Sequence, residues 1–520
     1  MDIIPSLLLC FAYISVIPLS LLLLLVLRTY SGKSLRDPRY PPVGGTVFHQ
    51  LLYFDRLYDH QTDVARRFPT FRLLCPDQCE YYTTNPLNVE HVLKSSFSYY
   101  TKGDYNREIV ADLFGEGIFA VDGEKWKHQR KLASYEFSTR VLRDYSCCLF
   151  RKGAAKLVRV IWDLPDRDSG FDMQEILMRC TLDSIFKVGF GVELDCLGGS
   201  SEEGVEFMRA FDEANALIYW RFIDMFWKLK RFLNIGCEAR LRKSIATINS
   251  FVLRLIEVRR KQLATRSDLI EKEDILSRFL AESEMNARTM NDKYLRDIIL
   301  NFMIAGKDTS ANTLTWFLYM LCVNPFVQER IVQEIRQVIG DEQTIINPEE
   351  FVENITDVVL DQMHYLHAAL SETLRLYPAV PADGRCAEKD DMLPDGYHVK
   401  KGDNVSYLPY AMGRMESLWG EDAAHFKPER WLKDGIFQLE SPFKFIAFNA
   451  GPRICLGKDF AYRQMKIISI ALLRSFRFKL VDGTAPVTYK VMFTLHMDGG
   501  LHLQAMPRTE AILIRPGLHN

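Results

Sequence analysis

Apolar residues run almost without a break from Ile3 to Leu27, the length an α-helix needs to span the hydrocarbon core of a bilayer. Past that run the pattern changes. Asp37-Pro38-Arg39-Tyr40-Pro41-Pro42-Val43-Gly44-Gly45 is held extended by its prolines and reads as a stiff hinge or a plain linker. Thr70 to Cys75 and Glu80 to Thr84 read as two short strands on either side of Pro76-Asp77. Few other strands are expected before residue 390, because most of the intervening chain carries helical periodicity with stops at Gly and Pro. The longest helical segment of this body, Tyr294 to Leu321, is apolar nearly all round and bounded by Pro325, which predicts a helix buried at the centre. Gly396 to Lys400 and Val405 to Leu408 read as short strands, and Val491 to Leu503 as a hairpin with its tip near Phe493-Thr494-Leu495. A last apolar helical pattern runs from Phe460 to Leu473. No internal repeat or low-complexity tract breaks the chain. The prediction is a membrane anchor at 1–30, a Pro-rich hinge at 31–45, and a single large, mainly α-helical domain with small β-sheets at 46–520.

Charge and composition add exclusions. A chain of 520 residues with formal net charge -2 and no basic tail gives no reason to expect nucleic acid. Eleven cysteines are scattered without the paired spacing of a zinc site, which argues for a reducing compartment. Only Asp2 precedes the N-terminal apolar run, whereas Arg28, Lys33, Arg36 and Arg39 follow it. The positive-inside rule then leaves the body in the cytosol. A cleaved signal peptide is the competing reading, but it would want a basic start, a shorter apolar core and a small-residue cleavage site.

Four short stretches carry candidate chemistry. In Ala305-Gly306-Lys307-Asp308-Thr309, Gly306 costs about 1 kcal/mol against Ala in a helix interior, and a buried ionisable pair costs more unless satisfied. Two such offences in one turn point to function. Ala305 and Thr309 share a face whose small residues leave room for a planar cofactor and a bound diatomic. Thr309 offers a hydroxyl to hold water, and Asp308 a carboxyl to relay protons. A small-residue packing seam with a locally bonded Thr is the alternative. Glu372 and Arg375 stand at i and i+3 among apolar neighbours, and Phe426-Lys427-Pro428-Glu429-Arg430-Trp431 supplies Arg430 as a third charge. Trp126 and Arg130 share a helix face flanked by Lys125, Lys127 and Lys131, which reads either as a solvated basic face or as a docking surface for an acidic partner.

The fourth stretch is Phe448-Asn449-Ala450-Gly451-Pro452-Arg453-Ile454-Cys455-Leu456-Gly457. It sets one cysteine between two glycines, just before the last helical pattern. The free N–H groups and dipole of a helix start favour a thiolate there. Gly451 suits a positive φ, Gly457 lets the backbone approach something flat, and Arg453 can pair with an acidic group on it. A cysteine buried merely as packing is the alternative.

The spacing Phe-x-x-Gly-x-Arg-x-Cys-x-Gly resembles the haem-binding loop of the cytochrome P-450 superfamily, the haem-thiolate monooxygenases. Ala-Gly-x-Asp-Thr, Glu-x-x-Arg, Pro-Glu-Arg-Trp and the Cys loop follow one another as they do in that family. The resemblance extends from about Pro41 to Leu503. It implies the cytochrome P-450 fold, with haem b between the central helix and the Cys loop. Cys455 is then the axial ligand of the haem iron, with Phe448 against the same group. Trp126, Arg130, Arg385 and Arg453 hold the propionates, and Asp308 and Thr309 activate O2. Glu372, Arg375 and Arg430 form a structural brace. Phe302, Ala305, Val380, Phe493 and Leu495 offer an apolar lining to the substrate. A thiolate ligand favours O–O cleavage over simple O2 binding. Gly189-Phe190-Gly191-Val192-Glu193-Leu194 begins like a dinucleotide loop but lacks the last glycine, so electrons from NADPH are expected through a separate flavoprotein reductase on the same membrane, the endoplasmic reticulum.

The segments Phe114 to Trp126 and Asp383 to Gly396 resemble plant enzymes that hydroxylate fatty acids at the terminal carbon, in the branch that makes long-chain ω-hydroxy acids for pollen-wall and cutin-like polymers. Another apolar substrate (a sterol, an alkane, an aromatic acid) or a non-catalytic haem protein are the competing readings.

Overall fold

A computed structural model of the chain describes residues 16, 19, 20, 22–76, 79–138, 140–165, 167, 169–265, 274–285, 290–340, 347–483 and 487–508. The chain divides into two compact units, Met1–Gly103 with Ala382–Met412, and Asp104–Pro381 with Gly413–Asn520.

The first unit carries a six-stranded sheet in the order Val43–Thr46, Thr70–Leu74, Cys79–Thr83, Asn404–Tyr407, Asp383–Ala387 and Tyr100–Thr101. The two strands expected around Pro76 pair antiparallel, with Thr70 opposite Thr83. The strand expected at 405–408 lies parallel to the second of them, one residue earlier. Three members of the sheet were not expected, the short edge strand Tyr100–Thr101 among them. Asp383–Ala387 has no apolar alternation and is a strand because neighbours on both sides complete its hydrogen bonds. Gly384 permits the close pass, since a Cβ there would lie 2.6 Å from Ser406 Oγ. Val43–Thr46 sits at the sheet edge, where a strand led by prolines is tolerated.

The Pro-rich stretch before that edge strand is tied down by Arg72. This buried guanidinium donates from Nε to the Pro41 carbonyl at 2.9 Å, from Nη1 to Lys33 at 2.8 Å and from Nη2 to Ser34 at 3.0 Å. Residues 22–30 are helical, but most of the expected anchor lies outside the described residues. Among the described residues no helix is long and apolar enough to cross a membrane.

The second unit is mainly helical, as the periodicity predicts. Its central helix, Asp292–Val323, starts where Asn291 accepts the Tyr294 amide at 3.0 Å and stops at Asn324, before Pro325. Helices Met173–Phe190, Gly236–Thr265, Pro325–Ile339, His364–Leu376 and Lys458–Ser475 pack against it. The sequence Gly189-Phe190-Gly191 is the end of one of these helices, with Gly191 in the left-handed region at φ 68°. That is ordinary helix-termination chemistry rather than a phosphate loop.

The C-terminal hairpin is shorter than expected. Tyr489–Lys490 pairs with His496–Met497, whereas His502–Pro507 joins Phe476–Leu480 and Phe171–Asp172 in a separate sheet. Phe493, Thr494 and Leu495 nevertheless lie at the turn of the short hairpin.

Candidate active site

Cys455 leaves a tight loop just before the helix Lys458–Ser475. Gly451, at φ 63°, and Asn449, at φ 59°, make the turn in the left-handed region. The Cys455 amide closes the loop by donating to the Phe448 carbonyl at 2.8 Å. The Phe448 ring leans on Tyr462 of the following helix at 5.2 Å.

The Cys455 residue is exposed, yet the protein around it desolvates the sulfur and pushes the thiol up. The Gly457 amide, Arg130 and Lys458 act the other way. The helix start therefore lowers the thiol without overcoming burial, and the net shift is opposite to the one expected from the dipole alone. A bound metal ion would complete the deprotonation.

Trp126, Arg130 and Arg453 converge beside this loop. Arg453 lies 4.5 Å and Arg130 5.8 Å from the Trp126 ring centre. Arg130 donates to the Ile454 carbonyl at 2.7 Å. Arg453 pairs with Asp122 at 2.6 Å and reaches the carbonyls of Val121 and Ile118. Its guanidinium thus fastens the 118–122 segment to the Cys loop, a use that the motif did not reveal. The basic face expected around it is partly neutralised, because Lys127 pairs with Glu124 at 2.7 Å and Lys125 pairs with Glu116.

The run from Phe114 to Trp126 is stitched to the central helix. Asp297 accepts the Glu116 amide at 2.9 Å, Asn301 accepts the Phe119 amide at 3.1 Å, and Arg296 donates to the Leu113 carbonyl at 2.9 Å. Sequence reasoning missed these three polar residues. The signal available was Gly115 and Gly117, where a Cβ would fall 2.1 Å from Asp297 and 2.0 Å from Asn301.

From Tyr294 to Leu318 the central helix is buried everywhere except Ala305, Gly306 and Thr309, which keep intermediate exposure. Ala305 and Thr309 lie one turn apart, and the Thr309 hydroxyl donates to the Ala305 carbonyl at 2.6 Å. With that proton in use, the hydroxyl oxygen is left as an acceptor. Gly306 serves packing, since a Cβ there would come within 2.6 Å of the Ile185 side chain on helix Met173–Phe190. Packing therefore accounts for Gly306, while Ala305 and Thr309 leave small side chains on the other face.

Asp308 is wholly buried and ion-paired with Lys307 at 2.5 Å. Burial works to raise its carboxyl, but Lys307 and His496 hold it below the usual range. Lys307 also pairs with Asp212 at 2.7 Å. Asp212, Asp308 and His496 lie close enough to suggest a metal site. The Lys307 ammonium already supplies the positive charge between the two carboxylates.

Glu372, Arg375 and Arg430 come together. Arg375 forks onto Glu372 at 2.8 and 2.7 Å, and Arg430 approaches the same carboxylate at 3.4 Å. Trp431 Nε1 and the Lys427 amide also donate to it, each at 2.9 Å. Arg375 further bridges to the carbonyls of Gly413, Ala423 and His425.

Arg385, Leu495, Phe302, Val380 and Phe493 complete the expected set. Arg385 lies in the first unit, fully buried, and donates to Asp383 at 3.0 Å on its own strand. Leu495 is completely buried. Its amide and carbonyl are pinned to Ala379 O at 3.0 Å and Trp316 Nε1 at 2.8 Å. Phe302 is also buried. Val380 is exposed, and Phe493 keeps partial exposure. Phe493 meets Phe114 at 5.3 Å, Tyr219 at 5.3 Å and Phe222 at 6.1 Å.

The profile of the family described as Cytochrome P450 matches residues 38–501. The chain belongs to the cytochrome P450 family. It is 47% identical to cytochrome P450 704C1 of Pinus taeda, over 95% of this chain and 98% of that protein. It is 44% identical to cytochrome P450 704B1 of Arabidopsis thaliana, over 93% and 97%. Cytochrome P450 86B1 of Arabidopsis thaliana is 40% identical over 82% and 77%. The family's cofactor is haem b, with electrons from NADPH delivered through a reductase. The donor set fits it, with the exposed Cys455 residue, an amide and two cations acting against the burial of its thiol, and clustered guanidinium groups beside it. This P450 is accordingly a haem monooxygenase acting with O2.

Proposed function

We propose that this monooxygenase ω-hydroxylates long-chain fatty acids at the endoplasmic reticulum membrane, for pollen-wall or cutin-like lipid polymers. The observation that carries the apolar substrate is the aromatic cluster of Phe114, Tyr219, Phe222 and Phe493, drawn from three separate segments of the second unit. The fatty-acid choice rests on the resemblance of the Phe114–Trp126 and Asp383–Gly396 segments to plant fatty-acid hydroxylases.

In this reading Cys455 ligates the iron, Phe448 supports the loop, and Trp126, Arg130 and Arg453 serve the propionates. Haem supplies the oxidising chemistry, the insertion of one atom of O2 into a C–H bond. The protein's part is to orient the chain end and to manage water and protons. Ala305 leaves space on the central helix. Thr309 accepts a hydrogen bond from a water on that face, while Asp308 holds charge behind it. Glu372, Arg375 and Arg430 keep the segment before the Cys loop rigid.

Membrane attachment draws on two features. The apolar run Ile3–Leu27 has spanning length, with the catalytic body left cytosolic by the basic residues after it. Phe226, Leu229, Phe232, Leu233 and Ile235 form an exposed apolar patch on and beside helix Trp227–Leu233, with Phe232 85% exposed. A flavoprotein reductase on the same membrane is the electron donor.

Two experiments test the reading. The reduced, carbon-monoxide-bound protein should show the red-shifted Soret band of thiolate ligation, and Cys455→Ala should abolish it; an imidazole-type spectrum refutes the ligand. With its reductase, the protein should convert long-chain acids to ω-hydroxy acids. Turnover confined to sterols, alkanes or aromatic acids in a widened panel defeats the substrate assignment.

A further inference from the structure

The carboxylate of Asp308 is surrounded by three elements. Its neighbour Lys307, on the same helix, divides its ammonium between Asp308 at 2.5 Å and Asp212 at 2.7 Å. From the C-terminal hairpin, the Thr494 hydroxyl donates at 3.5 Å and His496 Nε2 lies 3.9 Å away. Asp212, Lys307 and His496 are the titratable groups facing it. The third element is helix Glu202–Trp220, which carries Asp212 and also Asn215.

Asn215 is completely buried and is engaged at both ends. Its Nδ2 donates to Asp308 Oδ2 at 3.3 Å, and its Oδ1 accepts the Phe493 amide at 3.3 Å. A carboxylate takes only a donor and an N–H only an acceptor, so one amide orientation satisfies both partners. Phe493 carries on its own ring the contacts to Phe114, Tyr219 and Phe222. Tyr219 stands one turn beyond Asn215 on the same helix. A single side-chain amide therefore joins the aromatic cluster to the charged network of the central helix.

Resting on the apolar-substrate reading above, we propose that Asn215 is a positioning residue that couples occupancy of the aromatic cluster to the hold on Asp308. The physical basis is the geometry of a two-ended amide. Packing an alkyl chain against the Phe493 ring shifts the hairpin tip, and the Phe493 amide moves with it. Asn215 cannot follow that amide and keep its bond to Asp308 unless the carboxylate also adjusts. A changed hold on Asp308 alters the share of Lys307 that falls to Asp212, whose side chain is 32% exposed and so meets solvent. Substrate contact at the tip is thus relayed to the acid without any contact between substrate and acid.

The test uses the full-length holoprotein with its reductase, and hexadecanoic acid as probe. Hydrogen exchange of residues 489–497 is measured first, without turnover. In the wild type, the acid should change exchange at the Phe493 amide severalfold; in Asn215→Leu, that amide should exchange fast with or without it. In turnover, Asn215→Leu should lower product formed per NADPH by about fivefold or more while KM stays within about twofold. Asn215→Asp supplies a readout that a merely structural role would not move. An ionised carboxylate there repels Asp308, whereas a protonated one donates to it, so coupling should recover as pH falls, along a limb absent from the wild type. This variant and the exchange data carry the test if Asn215→Leu does not fold. Exchange at the tip indifferent to the acid, or Asn215→Leu coupling within about twofold of wild type, overturns the proposal. Failure of the parent reading looks different, because the wild-type protein then oxidises no long-chain acid at all.

Discussion

Replacing Glu372 by glutamine changes one atom and tests what the brace is for. Both Glu372 and Arg375 have side chains at 0% exposure, so no water is at hand to repair a lost bond. One carboxylate oxygen receives Arg375 Nη2, the Lys427 amide and Arg430 Nε; the other receives Arg375 Nε and Trp431 Nε1. Glutamine keeps one acceptor oxygen and puts an NH2 group where the other stood. Even in its better orientation, that NH2 faces Arg375 Nε and Trp431 Nε1, donor against donor. Hydrogen bonds involving a charged group are worth about 1.5–3 kcal/mol, and a stranded buried donor costs a similar amount. Two lost donors and an uncompensated guanidinium give an expected cost of about 3–6 kcal/mol. Domains of ordinary stability have about 5–15 kcal/mol in total, so this is a large share. Urea unfolding followed by tryptophan fluorescence measures it, with the carbon-monoxide spectrum reporting the fraction that still holds haem. Arg375→Met should be at least as costly, because it also strands the carbonyls of Gly413, Ala423 and His425. A loss below about 1 kcal/mol for Glu372→Gln would refute the reasoning and place the triad among ion pairs of little net worth.

Three further outcomes follow from the same structure. Gly306→Ala should lose about 1–3 kcal/mol by overpacking against Ile185, despite alanine's better helix propensity, and Ile185→Ala in the same chain should recover part of it in thermal unfolding. Burial drives the Lys466 ammonium down to about 8, so the unfolded chain binds the extra proton between pH 8 and the ordinary lysine value of 10.5. Stability should therefore rise with pH across that window, and Lys466→Met should flatten the rise while adding on the order of 2 kcal/mol at neutral pH. For Asp308 the sign is opposite: its carboxyl is held below the ordinary 3.8, so its stabilisation is present above that pH and is lost as pH falls further. The stability gap between wild type and Asp308→Asn should accordingly narrow under acid, and a gap independent of pH would contradict the pairing with Lys307.

Much of this protein is legible before folding because its chemistry is local. The Cys loop, the Ala-Gly-Lys-Asp-Thr turn and the Glu372–Arg375 spacing each lie within a few residues, where helix period and turn preference already say which side chains share a face. The burial of the central helix was readable for the same reason, since a helix apolar all round has nowhere to go but the interior.

What the sequence left open are matters of who meets whom at long range. Nothing in Asp383–Ala387 announces a strand; the ladder on either side makes it one. Arg453 was readable as a charge, but only the fold gives it Asp122, 331 residues away, as a partner. Leu495 was apolar and at the tip, yet the bonds of its backbone to Ala379 and Trp316 turn it into core. The network of Asp212, Asn215, Lys307, Asp308 and His496 draws on three segments far apart in the chain. Periodicity decides which side of an element is buried; which polar groups are then shut in together is decided by packing, because a buried donor or charge must find its partner wherever the fold brings one.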